Sequence, residues 1–418
     1  MKVSAFLFPG QGSQYIGMGK DLYEQSLVVR HIFEKANDVL GFDLTKLCFQ
    51  GDEAELKKTE NAQPALLTVS YAMFQYCMQE FGLSPKYLAG HSLGELSALT
   101  CAGAIKFEDA IKIVKQRGKF MQESVVSEAS SMAAIIGLEY DIVQHVCNLN
   151  SSEKEIVVIS NYNSRDRLVI SGHKYAVEQA CEYLKSMGAD IVFLQVSAPF
   201  HSPLMESAAQ KFELELQKYT FHDLTWPVVS NVSGVIYKEA RDIVPNLTQQ
   251  IVSQVQWKST MEYLESQGVT VAIECGPRMI LRNLVKQNHP KIESYSFDDR
   301  EDLLYMTSHF RKEVLSRANK MKVLNRCLAI AVCTRNLNDN NEEYQNNVVA
   351  NYRKIEDMVE ELENKKCEPT IEQLHTALEM LRTIFCTKHA PLEEQRQRFN
   401  QIFDETDTRE LFEDFIIP

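Results

Sequence analysis

The chain has 418 residues, 44% of them hydrophobic, and a formal net charge of −13. That length and apolar share suit one large domain with additions around a sizeable core. The acidic balance argues against general nucleic-acid or anionic-membrane binding, and no run reaches the ~18 apolar residues of a membrane span.

Ten cysteines occur without a CxxC pair or any metal-ligand spacing. Cys48, Cys101, Cys275 and Cys327 sit among apolar neighbours, which suits buried thiols in a reducing cytoplasm and no metal site. Residues 1–8 carry one lysine and a short apolar run that stops at Pro9-Gly10, so they predict a first strand rather than a signal peptide. The turn Pro9-Gly10-Gln11-Gly12-Ser13-Gln14 reads either as a plain loop or as a place where backbone amides, Gln11 among them, approach a ligand. Helices are predicted over 22–40 and 64–81. The second carries Leu67, Tyr71, Phe74 and Met78 at helical spacing, a core pattern.

Residues 86–89 predict a strand and 93–101 a helix of small and apolar residues. Between them stands Gly90-His91-Ser92-Leu93-Gly94, a Gly-x-Ser-x-Gly string. In a sharp strand-to-helix turn the glycines remove Cβ clashes and leave one serine at the apex. The backbone N–H groups of the following helix then point to where an oxyanion would form. Adjacent side chains at a strand end point to opposite sides, so His91 cannot serve Ser92 as base.

Residues 107–121 predict a helix whose stripe is Phe107, Ala110, Ile111, Val114, Gly118 and Met121. Arg117 lies within that stripe. A buried arginine needs a counter-charge. It is either a salt-bridged core residue or a fork held for a carboxylate that arrives with substrate.

The rhythm then changes. Strands at 131–137, 156–160, 167–171 and 191–195 and helices at 140–148 and 175–187 follow the β-α-β-β-α-β order of a ferredoxin-like unit. Beyond it, His201 stands between Pro199 and Pro203, after an extended segment and before a helix. In a chain with a nucleophile turn it is the best candidate base, with Phe200 walling the same pocket. A strand at 227–230, helices within 243–266, a strand at 269–275 and a helix from Met279 follow. Arg278, Arg282 and Lys286, spaced by four, predict one basic face, either solvated or receiving phosphates or an acidic partner.

From about residue 301 the chain turns to long charged helical stretches. Val314, Ala318, Met321, Leu324, Leu328 and Ala331 form one stripe. Tyr344, Val348, Asn351, Ile355, Met358 and Leu362 form a second, and Ile371, Leu374, Leu378, Leu381 and Phe385 a third. Connections fall at 336–341 and 367–370, with Thr370 as a cap. The expected layout is an α/β core from 1–129 and 198–298, a ferredoxin-like subdomain at 130–197, and a C-terminal α-helical bundle of three or four helices at 299–418, without catalytic groups.

Phe8-Pro9-Gly10-Gln11-Gly12-Ser13-Gln14, Gly90-His91-Ser92-Leu93-Gly94-Glu95, Gln116-Arg117-Gly118, Phe200-His201-Ser202 and Val255-Gln256-Trp257 occur in order. Together they closely resemble malonyl-CoA:acyl-carrier-protein transacylases over residues 3–295. The chain also looks like the free-standing, trans-acting malonyl transferases of bacterial polyketide and lipopeptide clusters. The resemblance implies an α/β-hydrolase-like core, Ser92 as nucleophile, His201 as base, and the amides of Gln11 and Leu93 as oxyanion hole. It implies that the Gln256 carbonyl orients His201, that Arg117 holds the malonyl carboxylate, and that Asn161 and Asn163 lie near the pantetheine channel. Phe200 matches malonyl-selective members, although Ala198-Pro199-Phe200 departs slightly from the usual wording.

The implied partners are malonyl-CoA as substrate, a phosphopantetheinylated acyl carrier protein and a polyketide or nonribosomal peptide synthase, with no bound cofactor. Arg278, Arg282 and Lys286 are expected at the carrier-protein or CoA contact. Three rivals stand beside this reading: an acyl hydrolase of the same fold, a serine esterase with a full triad, and a scaffold acting through its helical tail. No Asp or Glu between Ser92 and His201 stands out as a third triad member.

Overall fold

The computed structural model describes residues 3–417 except 82, 125–129, 197, 366, 413 and 414; the side chains of 311–318, 365 and 410 lie outside the description. Met1 and Lys2 of the expected first strand, Ser197, and the Val314 and Ala318 side chains of the first tail stripe therefore lie outside it too. Two compact units emerge, Met1–Met306 and Thr307–Pro418.

The first unit is built on β1 (Ser4–Phe8), whose five residues are all buried. A strand covered on both faces reads as a near-continuous apolar run, and Ala5-Phe6-Leu7-Phe8 supplies it, with the Ser4 hydroxyl donating to the Ser84 carbonyl. With β2 (Tyr87–Gly90), β7 (Val228–Val229), β8 (Val271–Glu274) and β9 (Glu293–Ser296) it forms a parallel sheet in the order β7-β2-β1-β8-β9. Parallel neighbours need crossovers, which the intervening helices supply. On one face Phe6 and Phe8 meet Phe74 of the helix Thr59–Phe81. On the other, Ala5, Leu7 and Ala89 pack with Trp257, Leu264 and Leu281.

Two predicted helices are drawn differently. The one over 22–40 breaks at Ser26, whose hydroxyl accepts the Val29 N–H and starts a new helix, Leu27–Leu40; a serine with that bond is a helix start, not an interior residue. The one expected from Pro64 begins at Thr59 and carries Pro64 inside it.

The segment between β2 and β7 contains a second sheet. It consists of β3 (Ser130–Ile136), β4 (Val157–Ser164), β5 (Arg167–His173) and β6 (Asp190–Phe193), antiparallel in the order β4-β5-β3-β6. The helices Tyr140–Leu149 and Lys174–Ser186 bury Val143, Val146, Val177 and Leu184 against it. Two backbone bonds fasten it to the first unit's core: Tyr162 N–H to the Val255 carbonyl and Val255 N–H to that of Ser160, both 2.9 Å.

The first unit runs to Met306. Asp302, in the first turns of the helix Arg300–Cys333, pairs with Arg282 at 2.8 Å and accepts the Ser296 N–H at 3.0 Å. The second unit has its own core, with Leu324, Ile355, Leu378, Phe385 and Phe399 at its centre. Thr370 caps the helix Ile371–Thr387, accepting the Gln373 N–H. Buried Lys388 donates to the carbonyls of Ala331 (2.6 Å) and Thr334 (2.9 Å), which satisfies acceptors at the end of Arg300–Cys333. No helix among the described residues is long and apolar enough to cross a membrane.

The ends of β1 and β2 interlock with the helix Leu93–Cys101 without room for side chains. A Cβ on Gly94 would overlap the Phe8 carbonyl oxygen, and one on Gly90 would overlap the Gly94 backbone. Overpacking against backbone costs about 1–3 kcal/mol or more. Gly94→Ala should therefore lower the calorimetric melting temperature of the first unit; an unchanged transition would show that the helix can back away freely.

Candidate active site

β2 ends at Gly90, and the chain turns through His91 and Ser92 into Leu93–Cys101. Ser92 holds φ 53°, ψ −107°. Such a backbone costs on the order of 1–3 kcal/mol and needs its surroundings to impose it. Asn231 supplies part of that: its Oδ1 accepts the Ser92 N–H at 2.6 Å and its Nδ2 donates to the Gly90 carbonyl at 2.6 Å. His201 is likewise at φ 58° and Arg278 at φ 64°. Both border the same cleft, of about 430 Å³, that contains Ser92.

Ser92 Oγ lies 2.7 Å from His201 Nε2. His201 Nδ1 lies 2.8 Å from the Gln250 carbonyl. A carbonyl can only accept, so the proton sits on Nδ1 and Nε2 is free to take the serine proton. Burial first, then the Arg117 charge, pushes the imidazole down to about 3, while the bond to Gln250 works the other way. The base is neutral at physiological pH, as its task requires.

The orienting carbonyl is that of Gln250, not of Gln256. Gln250 lies in the last turn of the helix Ile243–Val252, where carbonyls lack intrahelical partners. Gln256 precedes the next helix, Trp257–Ser266, and its carbonyl is taken by the Thr260 N–H and hydroxyl, both at 2.9 Å. Its side chain donates to Gln254.

Arg117 is only 1% exposed and points at the serine. Its Nη1 donates to Gln63 Oε1 at 3.0 Å, and its Nη2 to Gln250 Oε1 at 2.8 Å and Ser92 Oγ at 3.3 Å. Its Nε has no partner. Burial lowers its pKa to about 10, which leaves it charged at neutral pH. Every hydrogen-bond partner is neutral, so the salt-bridged alternative does not describe it. A buried guanidinium held by amides and a hydroxyl is a site for an anion.

Behind the serine, Glu95 is fully buried. It accepts from Tyr237 Oη (2.5 Å), Gln250 Nε2 (2.5 Å) and the Asn231 N–H (3.2 Å). Burial pushes its carboxyl up to about 7, against the pull of these donors and of the Arg117 charge. Gln250 Nε2 also donates to the Ser92 carbonyl at 3.0 Å.

Gln11 and Phe200 border the cleft, and Leu93 opens the elbow helix. Among the described residues neither the Gln11 nor the Leu93 N–H meets a hydrogen-bond acceptor. Asn163 also lines the cleft, and its Oδ1 lies 2.9 Å from His91 Nε2. The His91 ring packs beside Trp257. Asn161 borders the cleft with its Oδ1 engaged by the Ser160 hydroxyl.

The basic row is not one face. The helix runs Ile280–Asn288, so Arg278 precedes it, at the cleft. Its N–H binds Asp298 at 2.6 Å. Arg282 is turned inward onto Asp302, and Lys286 is exposed. Among the described residues no His, Cys, Asp and Glu cluster could hold a metal.

Gln63, Asn231, Tyr237, Glu95 and Gln250 were not singled out from the sequence. Only Glu95 carried a signal there, as a lone carboxylate in the otherwise small and apolar segment 93–101.

Residues 5–294 match the family described as acyl transferase domain. A malonyl CoA-acyl carrier protein transacylase of Bacillus subtilis is 39% identical over 392 residues, 94% of this chain and 98% of its own. That alignment is longer than the first unit, so it continues into the C-terminal helices. The enzyme of the same name from Escherichia coli K12 is 44% identical over 284 residues, 68% of this chain and 92% of its own. Among solved structures, the Coxiella burnetii transacylase superposes with TM-score 0.71 at 39% identity, over 74% of this chain and 98% of that one. A malonyl transacylase solved in complex with a holo type II polyketide synthase acyl-carrier protein gives TM-score 0.71 at 40% identity, over 73% and 98%.

Reactivity of Ser92 toward a fluorophosphonate reads the dyad directly. His201→Ala should slow labelling by roughly a hundredfold or more, the usual yield of a positioned base.

Proposed function

The chain belongs to the malonyl CoA-acyl carrier protein transacylase family, and on that premise we propose how its own residues carry the reaction. It is an acyltransferase, an acyl-carrier-protein S-malonyltransferase, that moves malonyl from malonyl-CoA to the phosphopantetheine thiol of a carrier protein. The observation that carries the residue assignment is Arg117, a buried cation with neutral partners, 3.3 Å from the nucleophile.

His201 Nε2 takes the Ser92 proton as Oγ attacks the malonyl thioester carbonyl. The tetrahedral oxyanion rests on the N–H groups of Gln11 and Leu93, an arrangement in which one lost donor costs roughly 3–4 kcal/mol. The C–S bond breaks, His201 returns the proton to the CoA sulfur, and malonyl-Ser92 remains. The carrier thiol then attacks that ester, giving its proton to His201, and Ser92 leaves with it: a two-step, ping-pong exchange. Arg117 holds the malonyl carboxylate through both steps, and a neutral acyl group leaves it unpaired. Phe200 limits the space beside His201, and Asn161 and Asn163 border the pantetheine path.

Arg278 and Lys286 are offered to the acidic carrier protein or the CoA phosphates, where local positive charge aids encounter on an acidic chain. Arg282 is withdrawn from that role by its ion pair with Asp302. The strand orders favour describing the first unit as an α/β-hydrolase-like core and the second sheet with its two helices as ferredoxin-like. The helical unit adds no reacting group, and we assign it to docking on a polyketide or lipopeptide synthase, in trans, in the cytoplasm. An acyl hydrolase needs no dicarboxylate clamp, and among the described residues no carboxylate hydrogen-bonds His201 as a full triad requires.

Brief mixing with malonyl-CoA followed by intact-mass measurement should show a malonyl adduct that disappears in Ser92→Ala and moves to an added holo carrier protein. An adduct released as free acid without a carrier would favour the hydrolase. Arg117→Ala should cut malonyl transfer at least about a hundredfold, from two charge-assisted hydrogen bonds worth roughly 1.5–3 kcal/mol each, and should admit acetyl groups; unchanged malonyl transfer would remove the clamp. A chain ending at Met306 should still acylate Ser92 but load its cognate carrier more slowly in the presence of the synthase. Full loading there would refute docking.

A further inference from the structure

Glu95 is a buried carboxylate that the transfer chemistry above does not use. It lies three residues after the nucleophile, on the helix Leu93–Cys101, with its side chain directed beneath the elbow. Its partners are not local. Tyr237 and Asn231 come from the segment after β7, and Gln250 from the helix Ile243–Val252. Each of the three donates, so the arrangement suits the ionised carboxylate, an acceptor only.

Two of the three routes out of Glu95, through Gln250 and Asn231, end on groups of the site. Gln250 is fully committed. Its Nε2 is divided between Glu95 and the Ser92 carbonyl, its Oε1 receives Arg117, and its main-chain carbonyl receives His201. With Nε2 fixed on Glu95, the side-chain amide cannot turn over, so Oε1 must face the guanidinium. Asn231 gives its main-chain N–H to Glu95, and its side chain braces both the Ser92 N–H and the Gly90 carbonyl. The elbow's strained φ and the orientation of Arg117 therefore share one anchor.

We propose that Glu95 is the positioning residue of this active site: through Gln250 and Asn231 it sets the geometry of His201, Arg117 and Ser92 together. Its link to the imidazole runs through Gln250, whose side chain binds Glu95 and whose main-chain carbonyl meets His201 Nδ1. It also opposes the Arg117 charge across the Gln250 amide, without a direct ion pair that would occupy the guanidinium and exclude substrate. This rests on the Ser92–His201–Arg117 reading above.

Glu95→Gln keeps the size but sets an amide N–H₂ among donors. In the full-length protein, acylation of Ser92 is timed after rapid mixing with malonyl-CoA or acetyl-CoA, and rates are expressed per serine titrated by exhaustive fluorophosphonate labelling. We expect the malonyl rate per titrated serine to fall on the order of ten- to a hundredfold, the scale of misplaced reacting groups. The preference for malonyl over acetyl should narrow severalfold, because Arg117 loses its register. Fewer titratable serines, each with native rate and native preference, would mean a purely structural carboxylate and would overturn the proposal. If Glu95→Gln does not fold, Tyr237→Phe decides, since it keeps the carboxylate and removes one donor. A severalfold loss per titrated serine with a narrowed preference supports the proposal, and native values overturn it. Absence of malonyl-Ser92 in the unmodified protein would instead remove the underlying transfer reading.

Discussion

A guanidinium enclosed with only amide and hydroxyl partners sets the terms at the catalytic end of this molecule. Arg117 is charged and buried, and two of the side chains that touch it, Gln250 and Ser92, belong to the reacting machinery. Desolvating a cation is expensive unless hydrogen bonds and a counter-charge offset it. Here the counter-charge, Glu95, stands one amide away rather than in contact. The guanidinium keeps an N–H without a partner and faces the nucleophile. In the proposed reaction a carboxylate entering with substrate would meet this guanidinium, and selectivity for a charged acyl group would follow.

The same end of the molecule concentrates backbone strain. Ser92, His201 and Arg278 account for three of the five non-glycine residues with positive φ among the described residues. The elbow is held by close backbone crossing at Gly90 and Gly94, where β1, β2 and the following helix meet without side chains between them. His201 and Gln250 reach it from segments far along the chain. The sheet order β7-β2-β1-β8-β9 brings the carboxyl ends of β1 and β2 together at a point where such loops converge, the usual place for a site in an open parallel sheet.

The C-terminal helices form a unit with a separate core. Its stripes at helical spacing and its Thr370 cap are matched by the helices in place. Buried Lys388, which closes the long helix by binding Ala331 and Thr334 carbonyls, has no signature in a single sequence.

What the sequence determined by itself is what local physics encodes. Gly-x-Ser-x-Gly between an apolar strand and a small-residue helix specifies an elbow, because only glycine tolerates that backbone approach. An arginine within an apolar stripe announces a buried charge, and period-two and period-3.6 patterns locate most strands and helices. Tertiary structure alone decided which groups meet. β9, Glu-Ser-Tyr-Ser, has no apolar pattern and is a strand because β8 offers it a parallel edge. Gln250, rather than Gln256, orients His201 because a main-chain carbonyl is the same in every residue; only its place at an open helix end makes it available. Arg282 left the basic row because Asp302 was waiting on another helix. Glu95's hold on Gln250 and Asn231 depends on contacts more than a hundred residues apart, which no local pattern records.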